Sequence, residues 1–496
     1  MKKVMITLAF FATTMATIAQ EIQDAVRYSQ DNLTGTARFR AMGGAFGALG
    51  GDLSSIGVNP AGSAVFMNNQ MGFTLTSFNQ KNKSNYFGQS KSEKDSSFDF
   101  NQLGAVFVFH NDEENSKWKK IALGINYDNN GDFENSVFSA GTNPNTSVAG
   151  YFLSYANGIP LGNIVNNPYT SLSYAEQQAY FGYEGYIINP VDEGMDNTLY
   201  TSNVPTGNYY QENYVSTKGY NGKLNFNIAA QYDDFLFFGL NLNAHFVDFN
   251  RYQSFYESNS NDTENGTQRI RFENDLYTYG NGFSFQLGTI AKVTNDLRVG
   301  LAYQSPTWFR LNDEFSQSLA AVNHEEGQAF TDIVNPQIIN LYPLYKLQTP
   351  GSWTGSLAYV FGQNGLISFD YIIKDYSNTR FKPKSDSYFR DLNNQMSNIL
   401  DITSEFRVGA EYRIKQLSLR GGYRFEQSPY KNGKTIGDLN ALSAGLGYNF
   451  GSTKLDLAYT YTKRDLNEAF FSQGLTDPAS IRNVNNNVTL TFLFSL

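Results

Sequence analysis

The chain offers little to a nucleophile or a metal. It has 496 residues, three histidines and no cysteine. His110 ends one strand-like run, His324 falls in a loop, and His245 alternates with Asn241 and Asn243, which would put all three on one strand face. Hydrolysis of the lipase or protease kind would use a Ser–His or Asp–His pair, and nothing in the sequence places one. No His/Cys/Asp cluster has metal-ligand spacing, and the acids Asp262, Glu264, Asp313 and Glu314 read as solvated loop charge. No catalytic residue, metal or cofactor is assigned, and the chain does not read as an enzyme. Two arginines suggest binding instead. Arg38 and Arg40 flank Phe39 at the start of a glycine-rich stretch, where either guanidinium could hold the carboxylate of a ligand. The competing role is to pair with Glu411, Asp370 or Asp52.

The element that carries these arginines runs from Arg38 to Gly62 and contains seven glycines. It is too rich in glycine for a stable helix and too irregular for a long strand. It closes in Asn59-Pro60-Ala61-Gly62, where proline fixes one dihedral and the asparagine side chain can complete a turn. Before it, residues 21–31 have the spacing of one short helix, with Ile22, Ala25 and Val26 on one side. A compact segment of this kind, ahead of a long β-domain, reads as a plug around which that domain wraps. The four residues 59–62 would anchor it to the wall, with substrate contact as the alternative.

The first residues address the compartment. Met1-Lys2-Lys3 is a basic start, Val4 to Ile18 is apolar, and Thr17-Ile18-Ala19 fits a signal-peptidase site. Residues 1–19 are therefore expected to be a signal peptide, 20–69 a plug, and 70–496 the β-domain. Mean hydropathy is −0.41, which in most chains means a soluble protein. A transmembrane β-barrel is the exception, because lipid-facing and lumen-facing residues alternate and cancel. The 40 Phe and 33 Tyr would supply aromatic girdles. A net charge of −9 without a basic cluster excludes nucleic acid as a partner.

From residue 70 onward the period is two. Val488, Leu490, Phe492, Phe494 and Leu496 share one face of the last strand, and Phe406, Val408, Ala410, Tyr412 and Ile414 alternate with Arg407, Gly409, Glu411 and Arg413. A sandwich would bury the apolar face, and a barrel would give it to lipid. The connections separate the two. Fourteen strands are expected, joined by short gaps (233–234, 293–296, 415–416, 451–452) that alternate with long ones (79–97, 131–212, 257–267, 314–342, 377–401, 429–437, 465–484). Tight turns on one rim and long loops on the other are the layout of a transmembrane barrel. The fold expected is all-β: a 14-stranded antiparallel transmembrane β-barrel with its N-terminal hatch inside the lumen. Several strands exceed the roughly 9–11 residues that a bilayer requires, and the surplus should rise above the membrane as a wall.

With the plug, the strand count and the motifs in place, the chain resembles the FadL/TodX family of outer-membrane hydrocarbon and long-chain fatty-acid transporters. The residues that carry the resemblance are Asn59-Pro60-Ala61 after the glycine-rich stretch, Tyr303-Gln304-Ser305-Pro306, and Thr349-Pro350-Gly351-Ser352-Trp353-Thr354-Gly355. The resemblance implies passive uptake of hydrophobic small molecules across a Gram-negative outer membrane. Lipid and lipopolysaccharide would surround the barrel, and both termini would be periplasmic. It also implies a landing groove outside, a site in the lumen and a sideways exit at a kinked strand. The loop 131–212 is the candidate groove, with Tyr151, Phe152, Leu153, Tyr180 and Phe181 as its docking residues; the alternative is that these aromatics pack on each other as a lid. Asn126 to Asp132 could form the kink, although loop onset is the plainer reading. His245 beside Asn243 is a faint echo of a barrel lipase. A second reading of the whole chain, from a different class, is a non-transporting barrel that serves as a subunit of a protein-secretion or barrel-assembly complex and contacts other outer-membrane proteins.

Overall fold

The computed structural model describes residues 20–113 and 115–496; the expected signal peptide at 1–19 lies outside the described residues. Fourteen strands build one closed antiparallel barrel: β1 (Gln70–Tyr86), β2 (Gln89–His110), β3 (Trp118–Asp132, continued by Asn135–Asn143), β4 (Tyr209–Tyr232), β5 (Leu236–Ser258), β6 (Gly266–Lys292), β7 (Leu297–Gln304, continued by Trp308–Glu325), β8 (Tyr345–Gln348, continued by Ser352–Phe361), β9 (Gly365–Asp375), β10 (Ile402–Ile414), β11 (Leu417–Glu426), β12 (Ile436–Asn449), β13 (Thr453–Ala469) and β14 (Pro478–Ser495). Each strand pairs with the next, and β14 pairs with β1 from Gln70↔Ser495 to Asn85↔Ser480, so the sheet has no open edge around the ring. The apolar face of each strand points out. Leu123 and Ile125 on β3, Phe238 and Phe246 on β5, and Val408 and Tyr412 on β10 are exposed, whereas the intervening Asn126, Asn243, Arg407 and Glu411 are buried inside. This is the polarity of a barrel in lipid.

Several long gaps are shorter than the sequence indicates. β1 and β2 continue through 79–97 and meet at a two-residue turn, Phe87-Gly88, with φ of 43° and 80°; positive φ at both positions suits the twist of a hairpin. β7 runs on to Glu325 and returns as a strand at Gln328–Val334, and 377–401 contains a helix, Ser387–Ile399. Above the membrane lipid no longer demands an apolar outer face, so the regular alternation fades although the pairing continues.

The hatch fills the lumen. It comprises α1 (Ile22–Arg27), α2 (Ala37–Ala41) and two 3-10 turns, Leu53–Gly57 and Pro60–Val65. α1 is shorter than the 21–31 span expected. The hatch leaves at the rim of short turns, where the Leu496 amide donates to the Asn69 carbonyl (3.1 Å). The opposite rim is capped by a lid from the β3–β4 connection: α3 (Ala149–Ala156), α4 (Leu161–Val165), α5 (Tyr174–Glu184) and a small hairpin. The helix Ser387–Ile399, α6, lies between β9 and β10 and packs toward α1 through Phe389 and Met396.

Candidate functional site

A solute that crosses this barrel meets its two ends, its lumen and its wall. The long-loop end is closed. Ser173 caps α5, with its amide donating to Glu176 Oε2 (2.8 Å). α5 and α3 then press their aromatic faces onto β6 and the β13–β14 connection. Tyr151 meets Phe471 at 4.4 Å between ring centroids, and Phe152 and Phe181 meet Phe272 at 5.3 and 5.6 Å. Tyr151, Phe152 and Phe181 are buried, and Leu153 and Tyr180 are half-buried against the same cluster. These five residues therefore do not form an open groove; Tyr151, Phe152 and Phe181 are in the core of a lid and Leu153 and Tyr180 pack against it, because large apolar side chains gain more from mutual burial than from exposure to water.

Beneath the lid lies a chamber of about 270 Å³. Tyr151, Phe315 and Phe471 line its upper part, and Glu21, Arg251 and Glu468 bring charge to it. α1 forms its floor, with Arg27 paired to Asp24 (2.6 Å) and lying over the Phe249 ring (4.1 Å). Below α1 a second chamber of about 120 Å³ is lined by Asp31, Lys374, Asp128, Lys223, Glu405 and Arg424 among others. Lys374 pairs with Asp31 at 3.0 Å. Burial pushes the Asp31 carboxyl up, but Lys374 and Lys223 outweigh it and hold it down at about 2.

The hatch is fixed to the wall at named points. Asn59 Nδ2 donates to the carbonyls of Gly47 (2.7 Å) and Thr289 (2.9 Å), while its Oδ1 accepts from the Ala61 amide (3.1 Å). Pro60 sits against β5 at Gly239, where a Cβ would lie 2.2 Å from the Pro60 carbonyl carbon, and Asn59 sits against Gly288 of β6. Asn59 to Gly62 are thus buried and bound to both strands. Asp370 accepts from the amides of Phe46 (2.9 Å) and Gly47 (3.0 Å). Arg38 pairs with Glu411 (2.8 Å), which also holds Arg420 (2.7 Å), so Arg38 is not available to a ligand. Arg40 differs: it is buried, and its Nη1 reaches only the Thr76 hydroxyl (3.3 Å). Burial alone acts on it and brings its pKa down to about 10.

The wall carries a seam. The β2–β3 ladder stops at Gln102↔Asp128. Just above, β2 carries an extra residue, Asn101, and β3 breaks register between Asn129 and Gly131. Asn126 to Asp132 are therefore a bulged strand rather than the start of a loop, and β3 continues past them to pair with β4. Beyond this point the β1–β2 hairpin touches β3 through side chains: Ser97 with Asp132 (2.9 Å), Asp95 with the Ser136 amide (2.8 Å), and Ser84 with Ser139 (2.6 Å). The hatch holds both lips. The Gly35 amide donates to Asn101 Oδ1 (2.9 Å), and the Asn32 amide to the Asn130 carbonyl (3.2 Å). A second interruption lies opposite the Ser-Pro and Thr-Pro motifs. Ser305-Pro306-Thr307 and Thr349-Pro350-Gly351 face each other where β7 and β8 both break, and the gap is closed by the Thr349 amide on the Thr307 carbonyl (3.0 Å).

His245 lies inside, with Nε2 at 2.9 Å from Ser284 Oγ and the ring edge-on to Phe309 at 5.6 Å. Asn243 Nδ2 also donates to Ser284 (3.1 Å). No carboxylate among the described residues bonds to His245, and neither His245 nor Ser284 borders the chambers described above, so the pair has the setting of a satisfied lumen contact. Among the described residues no group of three or more His, Asp or Glu is placed to hold a metal ion. Sequence reasoning missed Asn101, Asp31, Lys374 and Glu405. The last two sit at inward positions of their strands, and that parity was the only available signal.

A family model described as outer membrane protein transport protein (OMPP1/FadL/TodX) matches residues 13–473. No curated protein matches by sequence. Among solved structures, the P. putida toluene transporter TodX is similar at 14% identity, with a TM-score of 0.52 and coverage of 94% of this chain and 99% of that one. A Pseudomonas aeruginosa FadL homologue gives 11% identity, a TM-score of 0.52 and coverage of 94% and 99%. The CymD monoaromatic hydrocarbon channel gives 14%, 0.49, 94% and 99%. At these identities the likeness is one of fold.

Proposed function

Because this chain belongs to the outer membrane protein transport family (OMPP1/FadL/TodX), we propose that it is a passive outer-membrane channel that takes up hydrophobic small molecules and releases them sideways into the bilayer. The observation that carries the sideways step is the β2–β3 seam. The ladder stops at the upper edge of the apolar girdle, where Phe98 and Phe100 of β2 face outward. An apolar solute gains nothing from the polar chambers beneath α1, and it regains the full transfer free energy on reaching lipid, so a side exit near the top of the hatch is the favourable route. The aromatic lid is the corresponding entry, since its core is the largest apolar volume above the hatch. In this reading the rim of short turns, with the hatch exit at Asn69 and the chain end, faces the periplasm. The long rims of β4 to β7 then stand among lipopolysaccharide.

The test is to pin the seam. Ser84→Cys with Ser139→Cys replaces two hydroxyls 2.6 Å apart in a chain with no other cysteine. Uptake of a fluorescent hydrocarbon into cells or proteoliposomes should fall when the disulfide forms and recover with a reductant. Uptake indifferent to the bond would exclude this exit.

One feature favours the second reading, a subunit of a larger assembly. The strand Gln328–Val334 pairs on one side only, with β7, and the nearby Ile333 (75%), Ile339 (61%) and Leu341 (72%) are exposed. An open edge with apolar neighbours is a surface for another chain. Native mass spectrometry in mild detergent decides between a single barrel and a stoichiometric complex.

A further inference from the structure

Eight arginines lie in or against the hatch and the lower lumen with their charge largely out of water; six of them are answered by a carboxylate, and Arg298 gives its Nη1 to the Leu49 carbonyl (3.0 Å). Arg27 holds Asp24, Arg38 and Arg420 hold Glu411, Arg407 holds Glu405, and Arg424 and Arg464 hold Glu426. Arg40 has no such partner. It is 2% exposed, its Nε has no hydrogen-bond partner, and its Nη1 makes one long contact with Thr76. Its guanidinium carbon lies 5.5 Å from the Phe78 ring centroid, a contact that offsets only part of the cost of burying a charge.

Arg40 borders a third chamber, of about 110 Å³, between the hatch and the wall of β1 and β12–β14. Two further donors reach the same space. Thr460 Oγ1 is buried without a partner, and Asn487, whose Oδ1 accepts from the Asn79 amide (3.3 Å), has its Nδ2 uncommitted. Three carboxylates also border the chamber: Asp95 is bonded to Ser136, Asp132 to Ser97 and to the Glu134 amide, and the Glu134 side chain is exposed to water. A guanidinium, a hydroxyl and an amide left without acceptors around one cavity is the complement of an oxyanion.

We propose that this chamber is an oxyanion-binding site, with Arg40 as its charge and Thr460 and Asn487 as its supporting donors, and that it takes a carboxylate or phosphate group. Its volume accommodates several waters, and so a head group or a small free anion. The site does not depend on transport: it would bind in detergent even if the barrel carried nothing.

The test uses the full mature protein in neutral detergent, with hexanoate labelled at its carboxyl carbon, inorganic phosphate and hexanol as probes followed by NMR line broadening. Hexanoate or phosphate should bind. R40Q should lose at least about tenfold in affinity, the factor expected when a charge-assisted bond is removed; T460V should lose less, and R482Q, on the exposed outer wall, nothing. R40K keeps the charge and the fold and should retain part of the affinity, which covers the case in which R40Q fails to assemble. Binding of hexanoate without phosphate assigns the site to a carboxylate head group, and the reverse assigns it to phosphate. Failure of both anions to bind the intact protein, or binding of hexanoate that R40K, R40Q and T460V leave unchanged and hexanol matches, would overturn the proposal.

Discussion

The two ends of the lumen are held shut by opposite kinds of force. At the short-turn end, the hatch is tied to β9–β13 by charge: Glu411 between Arg38 and Arg420, Arg420 also on Asp456, and Asp370 capping the amides of Phe46 and Gly47. At the long-loop end, the lid is held by rings, with Phe272 touching Phe152, Phe181 and Phe471. Charges buried together demand fixed geometry and penalise any apolar visitor. Packed rings exchange partners at small cost, and an apolar visitor can take the place of one of them. The difference suits the roles proposed for them, the lid at entry and the hatch in retention, and it can be pressed from either side.

The largest effect should come from Glu411→Ala. It leaves Arg38 and Arg420 buried without their shared carboxylate, and breaking a buried pair from one side costs about 3–5 kcal/mol. The hatch should loosen, ion conductance across a planar bilayer should rise, and exchange of the 37–51 amides should quicken while the lid is unchanged. A silent Glu411→Ala would mean that charge does not hold this end. Next comes Phe272→Ala, which opens a cavity at the centre of the lid and should cost about 3 kcal/mol or somewhat more. Here exchange should quicken in 149–156 and 174–184 and not in the hatch; a spread into the hatch would join the two ends into one unit.

The smallest effect is one of pH. Glu257 stands at the long-loop end of β5, above the apolar band, and accepts from the Val148 amide (2.8 Å) and Gln211 (2.8 Å) beneath α3. Burial pushes its carboxyl up to about 7 from an ordinary 4.5, against the pull of these donors. With the lid open it returns toward the ordinary value. Between those two pH values the closed lid therefore holds a proton that the open lid does not, and closure strengthens as pH falls through the window. The protection of the α3 amides, taken relative to their intrinsic exchange rate at each pH, should rise from pH 8 to pH 5 in the natural protein, and Glu257→Gln should flatten that dependence.

The outer surface was legible because lipid makes one demand at every second residue, so Phe406, Val408 and Tyr412 announce their face directly. The inner surface was not. Period two says that Glu411 points inward; that it meets Arg38, 373 residues away, was one of three pairings left open, beside Asp370 and Asp52. The upper strands were lost for a related reason: from Lys81 to Ser97 both faces are polar, and no alternation survives to betray the pairing. The aromatics of 131–212 were recognisable as residues that must be buried. Their partners Phe272 and Phe471 were not, since nothing local distinguishes an inward ring that meets a lid from one that lines a cavity. Asn129-Asn130-Gly131 reads as a loop because the same residues that end strands also bulge them.

The closing pair of the ring, β1 with β14, joins opposite ends of the chain around the hatch. Gly239 and Gly288 leave no slack behind Asn59 and Pro60, so stopper and wall are fitted to each other like a ground-glass joint. Contacts of such long sequence separation form slowly, and the closing of the ring at β1 and β14 is expected among the slow steps of folding.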